Sequence, residues 1–243
     1  MINLNEVKSR AARKNSHNNN RLHFFASNFS IYFSWFFINM GMSANQVTVV
    51  FFITGLLGSF FLLSSDMLFI LIGYMLWRLH IIFDLCDGDV ARFRQEFSIN
   101  GAYWDYMIHS ILYPLFFVSI SFSLYVNYGN VYFLYIAMFG SIVVSQMLSV
   151  KNNYYRAMLF NNIKHDPDLG KNNQNNASFA LKNAVFTALS FEGFLFLYLI
   201  FNLFFDRPIY FIFLLCFYIL IFALIVLQKF YLFSRYGFYS KRS

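Results

Sequence analysis

Long apolar runs separated by short polar connections dominate the chain. The runs cover 47–63, 68–93, 101–125, 131–149, 184–204 and 208–230. Segments of about 20 apolar residues are long enough to cross a bilayer as helices. We therefore predict an all-α integral membrane protein, a single membrane domain over 1–243 with six transmembrane helices in the body 47–230.

The N-terminal part shows a weaker pattern. Residues 1–23 are polar, which predicts an arm that is mobile or lies on the anionic membrane surface. Residues 24–40 are aromatic and apolar, but Asn28, Ser30, Ser34 and Asn39 interrupt the run. We predict an N-terminal interfacial amphipathic helix here, with a seventh span as the competing interpretation.

Composition and charge support the membrane assignment and predict its orientation. A chain that is 59% hydrophobic and 12% charged has too much apolar surface for a soluble domain of 243 residues. Lys and Arg cluster before the first run, after the fourth run and at the C-terminus, whereas the connections at 64–66 and 125–129 have none. The positive-inside rule then places both termini in the cytoplasm and makes the number of spans even. The positive residues flank spans without forming one stripe, so nucleic acid is not an expected partner.

Ionisable side chains interrupt the second and third runs at the same depth. Asp84 and Asp87 are three residues apart, so they share one helix face. Gly101, Asp105 and His109 recur every four residues and form a stripe on the next predicted helix. Ionisable groups inside a membrane span are costly and usually mark a functional site.

The chemistry of this cluster indicates a metal and a phosphate ester. Neighbouring carboxylates repel one another, and a divalent cation such as Mg²⁺, Mn²⁺ or Ca²⁺ relieves that repulsion. Gly88 and Ala91 leave room for a ligand, and the Arg92 fork suits a phosphate. The alternative is an ion-pair network in a transporter or scaffold, in which Arg78, Arg92 and Arg94 neutralise the aspartates.

These residues resemble the signature of the CDP-alcohol phosphotransferases, D-x2-D-G-x2-A-R-x8-G-x3-D-x3-D. The chain matches it in register at Asp84, Asp87, Gly88, Ala91, Arg92, Gly101 and Asp105. Asn45 and Thr48 precede the first span, where this family commonly has Pro-Asn-x-x-Thr, and Ala44 replaces the proline. The last position of the signature is His109 where the family has aspartate.

The resemblance implies an enzyme that transfers a substituted phosphate from a CDP-linked alcohol to a hydroxyl acceptor and releases CMP, in phospholipid or related lipid or glycan synthesis. CDP-diacylglycerol is the favoured donor. In the other arrangement a soluble CDP-alcohol is the donor and a lipid or glycan hydroxyl is the acceptor. An enzyme of the CDP-choline or CDP-ethanolamine type is a further alternative.

The resemblance also implies the roles of single residues. The expected cofactor is Mg²⁺ or Mn²⁺, held at the cytoplasmic face of the cytoplasmic or inner membrane by Asp84, Asp87 and Asp105. The expected nucleotide-binding residues are Asn45, Thr48, Gly88, Ala91, Arg92 and Gly101.

Histidine at position 109 leaves three interpretations of the site. The family uses this position as the general base, and imidazole is itself a common general base. Histidine is a poorer ligand for Mg²⁺ than for Mn²⁺, so the second metal position can be weakened. In the third interpretation the protein is a catalytically degenerate family member that acts as a scaffold or transporter.

Other features of the sequence support weaker predictions. Lys151 and Arg156 follow the fourth span and could hold an anionic acceptor, although juxtamembrane positive charge explains them as well. His80 lies one turn before Asp84 and is expected to pair with it. The free thiol of Cys86 is expected to line the pocket. Small residues at 55 and 58 allow close helix contact and are compatible with a homodimer.

Overall fold

The computed structural model describes residues 2–11, 21–96, 99–160 and 189–239, and every regular element in these ranges is a helix. In chain order the helices are α1 Leu4–Arg10, α2 Arg21–Asn39, α3 Ala44–Phe61, α4 Met67–Arg94, α5 Ile99–Tyr128, α6 Tyr132–Phe160, α7 Phe191–Phe204 and α8 Pro208–Tyr239. Among the described residues, α3, α4, α5, α6 and α8 are long and apolar enough to cross a bilayer. The chain is an all-helical integral membrane protein.

The fifth predicted span differs from the helix observed in its place. Residues 184–188 lie outside the described part of the chain, but a helix running from 184 to 204 is wrong. Ser190 caps α7 by accepting a hydrogen bond from the backbone N–H of Gly193, so α7 begins at Phe191. Its 14 residues extend about 21 Å. That length is shorter than the roughly 30 Å hydrocarbon core of a bilayer.

The prediction left open whether the polar arm over 1–23 is mobile or lies on the membrane surface. Where the structure describes this segment a mobile arm is wrong, and its position on the membrane surface stays a prediction. Residues 4–10 form α1, and Val7 is fully buried against Phe37 of α2 and Val90 of α4. The backbone N–H of Ile2 donates to Oδ1 of Asn39 at 2.8 Å. Residues 12–20 of the predicted arm lie outside the described ranges. The predicted segment 24–40 is helical, as α2, and its position relative to a membrane stays a prediction.

Close contact between α3 and α4 explains the two small residues of α3. A Cβ atom on Gly58 would lie 2.7 Å from Cδ1 of Trp77, and one on Gly55 would lie 2.9 Å from Nδ1 of His80. Both glycines therefore serve packing within one chain. The predicted homodimer draws no support from them and stays a prediction.

The interior and the outer surface of the bundle both consist largely of apolar side chains. Trp77 is fully buried and packs edge-on against Phe116, with ring centroids 4.4 Å apart. Large side chains such as Phe60, Phe213 and Leu227 are more than 60% exposed on the outside. In water such a surface would be an association site, whereas in a bilayer it faces hydrocarbon.

Candidate metal site

Polar side chains of α4 and α5 approach each other near the end of α4. α4 ends at Arg94, and Gln95 adopts the left-handed conformation with φ of 56°, which stops the helix. α5 begins at Ile99, and Nε2 of its His109 approaches Oδ1 of Asp84 on α4 to 3.5 Å. Asp84 of α4 thus lies close to Asp105 of α5.

Asp84, Asp105 and His109 form a cluster of possible metal ligands. One ligand atom from each residue lies within 4.8 Å of the other two. Nε2 of His109 is 3.5 Å from Oδ1 of Asp84, and Nδ1 of His109 is 3.0 Å from Oδ1 of Asp105. We call these three residues the acidic–histidine cluster. The structure thus brings the last residue of the signature into the group of ligands.

The tautomer of His109 follows from its surroundings. Nδ1 lies 2.9 Å from the backbone carbonyl oxygen of Asp105, and a carbonyl oxygen only accepts, so Nδ1 carries the hydrogen. The ring also stacks on Tyr113, with centroids 5.3 Å apart and planes 21° from parallel. Nε2 is therefore the nitrogen that faces Asp84, and in the neutral ring its lone pair points at a carboxylate.

The donor set fits a divalent cation. Oδ1 of Asp105 is buried, and its contact with Nδ1 of His109 lacks hydrogen-bond geometry, so it accepts no hydrogen bond from the described residues. Two arrangements satisfy these atoms. A protonated imidazole pairs with both carboxylates, or a divalent cation is held by the two carboxylates and the lone pair of a neutral imidazole. Two carboxylates and one imidazole suit Mn²⁺ better than an all-oxygen set would.

Asp87 lies beside the acidic–histidine cluster and is not part of it. Its Oδ2 accepts a hydrogen bond from Oγ1 of Thr48 at 3.0 Å, which ties the start of α3 to α4. The charges of Asp84 and Asp105 act on this carboxylate. The predicted ligands were Asp84, Asp87 and Asp105. In the structure His109, not Asp87, lies together with the other two aspartates. Asn45 is exposed one turn before Thr48.

Arg92 connects the predicted phosphate position with the N-terminal helix. The nearest atom to a Cβ built on Gly88 would be Nη1 of Arg92, at 3.3 Å. Nη2 of Arg92 lies 2.6 Å from Oδ1 of Asp89, and Nε donates to the carbonyl oxygen of Ala11 at 3.1 Å. The guanidinium therefore covers Gly88 while it holds the end of α1. A phosphate at this position would meet a preoriented fork.

The sequence analysis missed the role of Asp89. Only 4% of this residue is exposed, and its Oδ2 accepts hydrogen bonds from the hydroxyls of Ser30 at 3.0 Å and Ser34 at 3.2 Å. The two serines are one turn apart on α2, and in the sequence pattern they only interrupt an apolar run. The spacing of the two serines, together with the position of Asp89 on the face of α4 opposite Asp87, is the sequence feature that could have predicted this contact.

The expectations for His80 and Cys86 are wrong. Nδ1 of His80 lies 2.9 Å from the carbonyl oxygen of Phe51, because α3 approaches α4 closely at this level, so the ring does not pair with Asp84 there. The Cys86 thiol is fully buried and donates to the carbonyl oxygen of Ser30. It faces α2 and belongs to the packing of α1, α2 and α4 rather than to a pocket.

A cavity of about 890 Å³ begins at Asp105 and His109 and extends between α5, α6, α7 and α8. Its other polar lining residues, which the sequence analysis did not single out, are Asn152, Ser190, Gln228 and Lys229. They come from helices distant in the sequence, so no local pattern identified them.

The other residues predicted to bind nucleotide or acceptor have no contact with the acidic–histidine cluster among the contacts described above. Gly101 is in the first turn of α5, one turn before Asp105. The carbonyl oxygen of Ala91 accepts from the N–H of Glu96 and closes α4. Arg156 is exposed on α6, one turn beyond Asn152, and the side chain of Lys151 lies outside the described part of the structure.

Fold and site together define an all-helical membrane protein with an acidic–histidine cluster between two spans. Comparison with known proteins adds no family: no protein-family model matches the chain, and no curated protein matches it. The functional assignment therefore rests on the signature residues and their arrangement.

Proposed function

We propose that this protein is a CDP-alcohol phosphotransferase, which transfers a substituted phosphate from a CDP-linked donor to a hydroxyl acceptor and releases CMP. One observation carries the proposal. Asp84, Asp105 and His109 occupy signature positions on two helices, and their ligand atoms lie within 4.8 Å of one another.

The acidic–histidine cluster is the proposed position of Mn²⁺ or Mg²⁺. When bound, the ion neutralises the negative charge of the pyrophosphate. Thr48 holds Asp87 beside this position, and the guanidinium of Arg92, which lies over Gly88, is the proposed phosphate partner. Asn45, Ala91 and Gly101 complete the proposed nucleotide side, as the family resemblance implies.

His109 is the proposed general base. Its Nδ1 hydrogen is held by the carbonyl oxygen of Asp105, so Nε2 is the basic nitrogen. The acceptor oxygen attacks the phosphorus of the substituted phosphate that is transferred, and Nε2 takes the hydroxyl proton. The bond from this phosphorus to the oxygen of CMP breaks, and its electron pair leaves on CMP. One lone pair cannot hold a proton and a cation together, so in this step Asp84 and Asp105 hold the ion.

The proposed topology is six spans with both termini and the site at the cytoplasmic face. Clustered Lys and Arg residues outside the apolar runs support it through the positive-inside rule. The short helix α7 then belongs to the fifth crossing.

Release of CMP tests the proposed function. Purified protein is incubated with Mn²⁺ or Mg²⁺, a set of CDP-linked donors and a set of acceptors, and CMP is quantified by chromatography. We expect metal-dependent release by the wild type and a loss of at least about 100-fold in His109→Ala, since general bases typically contribute 10²–10⁴. If no combination releases CMP, the protein is an inert family member with a scaffold or transport role. If His109→Ala releases CMP as fast as the wild type, the protein is still an enzyme but His109 is not its general base.

A further inference from the structure

Three helices of the N-terminal half meet at a buried polar cluster beside the proposed phosphate partner. Asp89 of α4 lies at its centre and is only 4% exposed. Its Oδ2 accepts hydrogen bonds from the hydroxyls of Ser30 at 3.0 Å and Ser34 at 3.2 Å, both on α2. Its Oδ1 lies 2.6 Å from Nη2 of Arg92. The two oxygens of this carboxylate therefore bind different helices.

The two serines anchor the carboxylate on α2. A buried charge is stable only where it is paired and hydrogen-bonded. Ser30 and Ser34 are themselves buried, so neither hydroxyl has bulk water as an alternative partner. The hydroxyl of Ser34 also lies 2.8 Å from the carbonyl oxygen of Ser30, so its single hydrogen is shared between two acceptors. Ser30 is consequently the stronger donor to Asp89.

On its other side Asp89 holds one edge of the Arg92 guanidinium. A guanidinium has five N–H groups. Nη2 uses one of them on Asp89, and Nε uses its own on the carbonyl oxygen of Ala11 at 3.1 Å. Neither contact uses Nη1, which is the atom nearest to a Cβ built on Gly88, at 3.3 Å. Both N–H groups of Nη1 and the second of Nη2 lie outside these contacts, and such a pair of nitrogens can bind a phosphate through two parallel hydrogen bonds.

The end of α1 fixes the same guanidinium from a second direction. Ala11 caps α1 by donating its N–H to the carbonyl oxygen of Val7, while its own carbonyl oxygen accepts from Nε of Arg92. The C-terminal end of a helix carries partial negative charge, so a cation is favourable there. Ala11 is itself buried in the cluster that joins α1, α2 and α4. The position of Arg92 is therefore set by two helices other than its own.

An arginine held in this way is already oriented before a ligand arrives. Long side chains lose rotamer freedom when they bind, and a fork that is fixed in advance loses less of it. Removing a contact that fixes the fork should therefore weaken phosphate binding, although the contact itself never touches the phosphate. The signature that the chain resembles leaves position 89 unspecified, so the resemblance implies no role for Asp89.

We propose that Asp89 is a positioning residue for the donor. Anchored on α2 by Ser30 and Ser34, it holds the guanidinium of Arg92 over Gly88 in the orientation that meets the phosphate. This inference rests on the proposed function, in which Arg92 is the phosphate partner. It requires that Asp89 acts on the donor through Arg92 alone.

The affinity for CDP tests this role without turnover. CDP contains the cytidine and pyrophosphate that all CDP-linked donors share, and it is titrated with Mn²⁺ onto the full chain in lipid nanodiscs by calorimetry. In Ser30→Ala we expect the Kd for CDP to rise about threefold, because one hydroxyl donor to Asp89 is lost. Ser119→Ala is the matched control, since Ser119 of α5 is equally buried and donates to the carbonyl oxygen of Leu115 on its own helix. Equal Kd values in the two variants would overturn the inference.

A double-mutant cycle shows whether Asp89 acts through Arg92. Asparagine has a single acceptor oxygen, so at position 89 it cannot serve the serines and the guanidinium equally. Asp89→Asn and Arg92→Gln are each expected to raise the Kd for CDP at least about tenfold. The variant with both changes should bind CDP like Arg92→Gln alone. Effects that multiply would show a different route and overturn the inference. Ser30→Ala removes no charge and keeps the test decisive if a charge variant does not fold.

Initial rates distinguish this inference from the proposed function. With a donor that supports CMP release, Asp89→Asn should raise the donor KM about tenfold and leave the acceptor KM unchanged. A lower kcat at unchanged donor KM would indicate a purely structural role, which overturns the inference and keeps the function. If no donor yields CMP while Ser30→Ala and Asp89→Asn still weaken CDP binding, the proposed function is rejected and the positioning role is kept. Wild-type protein that does not bind CDP would reject both.

Discussion

At the scale of single residues, position 109 decides how the site works. A carboxylate there would add a third negative charge to Asp84 and Asp105, and the imidazole adds none when neutral. The hydrogen bond from Nδ1 to the carbonyl oxygen of Asp105 aims Nε2 at the space between α4 and α5. The same atom can therefore act as a base or as a ligand, and a substitution that changes its chemistry distinguishes these roles.

His109→Asp is the informative substitution because it completes the aspartate signature. Carboxylate oxygen favours Mg²⁺ more than imidazole nitrogen does, so the ratio of Mn²⁺-supported to Mg²⁺-supported CMP release is expected to fall about tenfold. The measurement is initial CMP release over a concentration series of each ion. Asp66→Asn serves as control, since Asp66 caps the far end of α4 and Asn caps equally well. An unchanged ratio would mean that His109 does not touch the metal.

At the scale of elements, the surprising helix is α1. A helix of only seven residues has no stability in isolation, because nucleation costs more than so few hydrogen bonds return. It forms here because Val7 and Ala11 are buried against α2 and α4 and because Arg92 holds the carbonyl oxygen of Ala11. Local sequence patterns do not contain these contacts. For the same reason they missed Asp89, whose partners lie on α2.

Val7→Ala tests whether burial of this side chain holds α1 in place. Removing two buried methyl groups should weaken docking by about 2 kcal/mol, or roughly thirtyfold in the opening equilibrium. Hydrogen exchange of the amides in 4–11 measures this directly and should accelerate by that factor. The matched control is Val49→Ala, because Val49 on α3 is 45% exposed. Equal exchange in the two variants would show that Val7 does not anchor α1.

At the scale of the whole molecule, the sequence predicted the apolar helices well and their connections less well. Hydropathy identifies α3, α4, α5, α6 and α8 because the bilayer requires about 20 apolar residues in a row. The start of α7 was missed because a capping serine, not a change in hydropathy, sets it. The spacing of Asp105 and His109 predicted a shared helix face, but the approach of Asp84 depends on how α4 and α5 pack. Distances between side chains of different helices depend on tertiary packing, which the spacing of residues within one helix does not determine.

The topology is a prediction for the molecule as a whole. Ser65 and Glu96 are exposed at opposite ends of α4, so they should lie on opposite sides of the membrane. In a Cys216→Ser background, Glu96→Cys should react with an impermeant maleimide only from the cytoplasmic side, and Ser65→Cys only from the other side. Inverted vesicles and intact cells supply the two sides. The reverse labelling would place the candidate site outside and contradict the positive-inside argument.

The most direct test of the central claim is CMP release by the wild type compared with Asp105→Asn, in the presence of Mn²⁺ and a CDP-linked donor. Asp105 supplies an oxygen to the proposed metal site, and its backbone carbonyl also orients His109, which the amide variant leaves in place. We predict metal-dependent CMP release by the wild type and by the control Asp66→Asn, with a loss of at least about 100-fold in Asp105→Asn. Wild-type protein that releases no CMP with any donor, or Asp105→Asn that releases it at the wild-type rate, would contradict the claim.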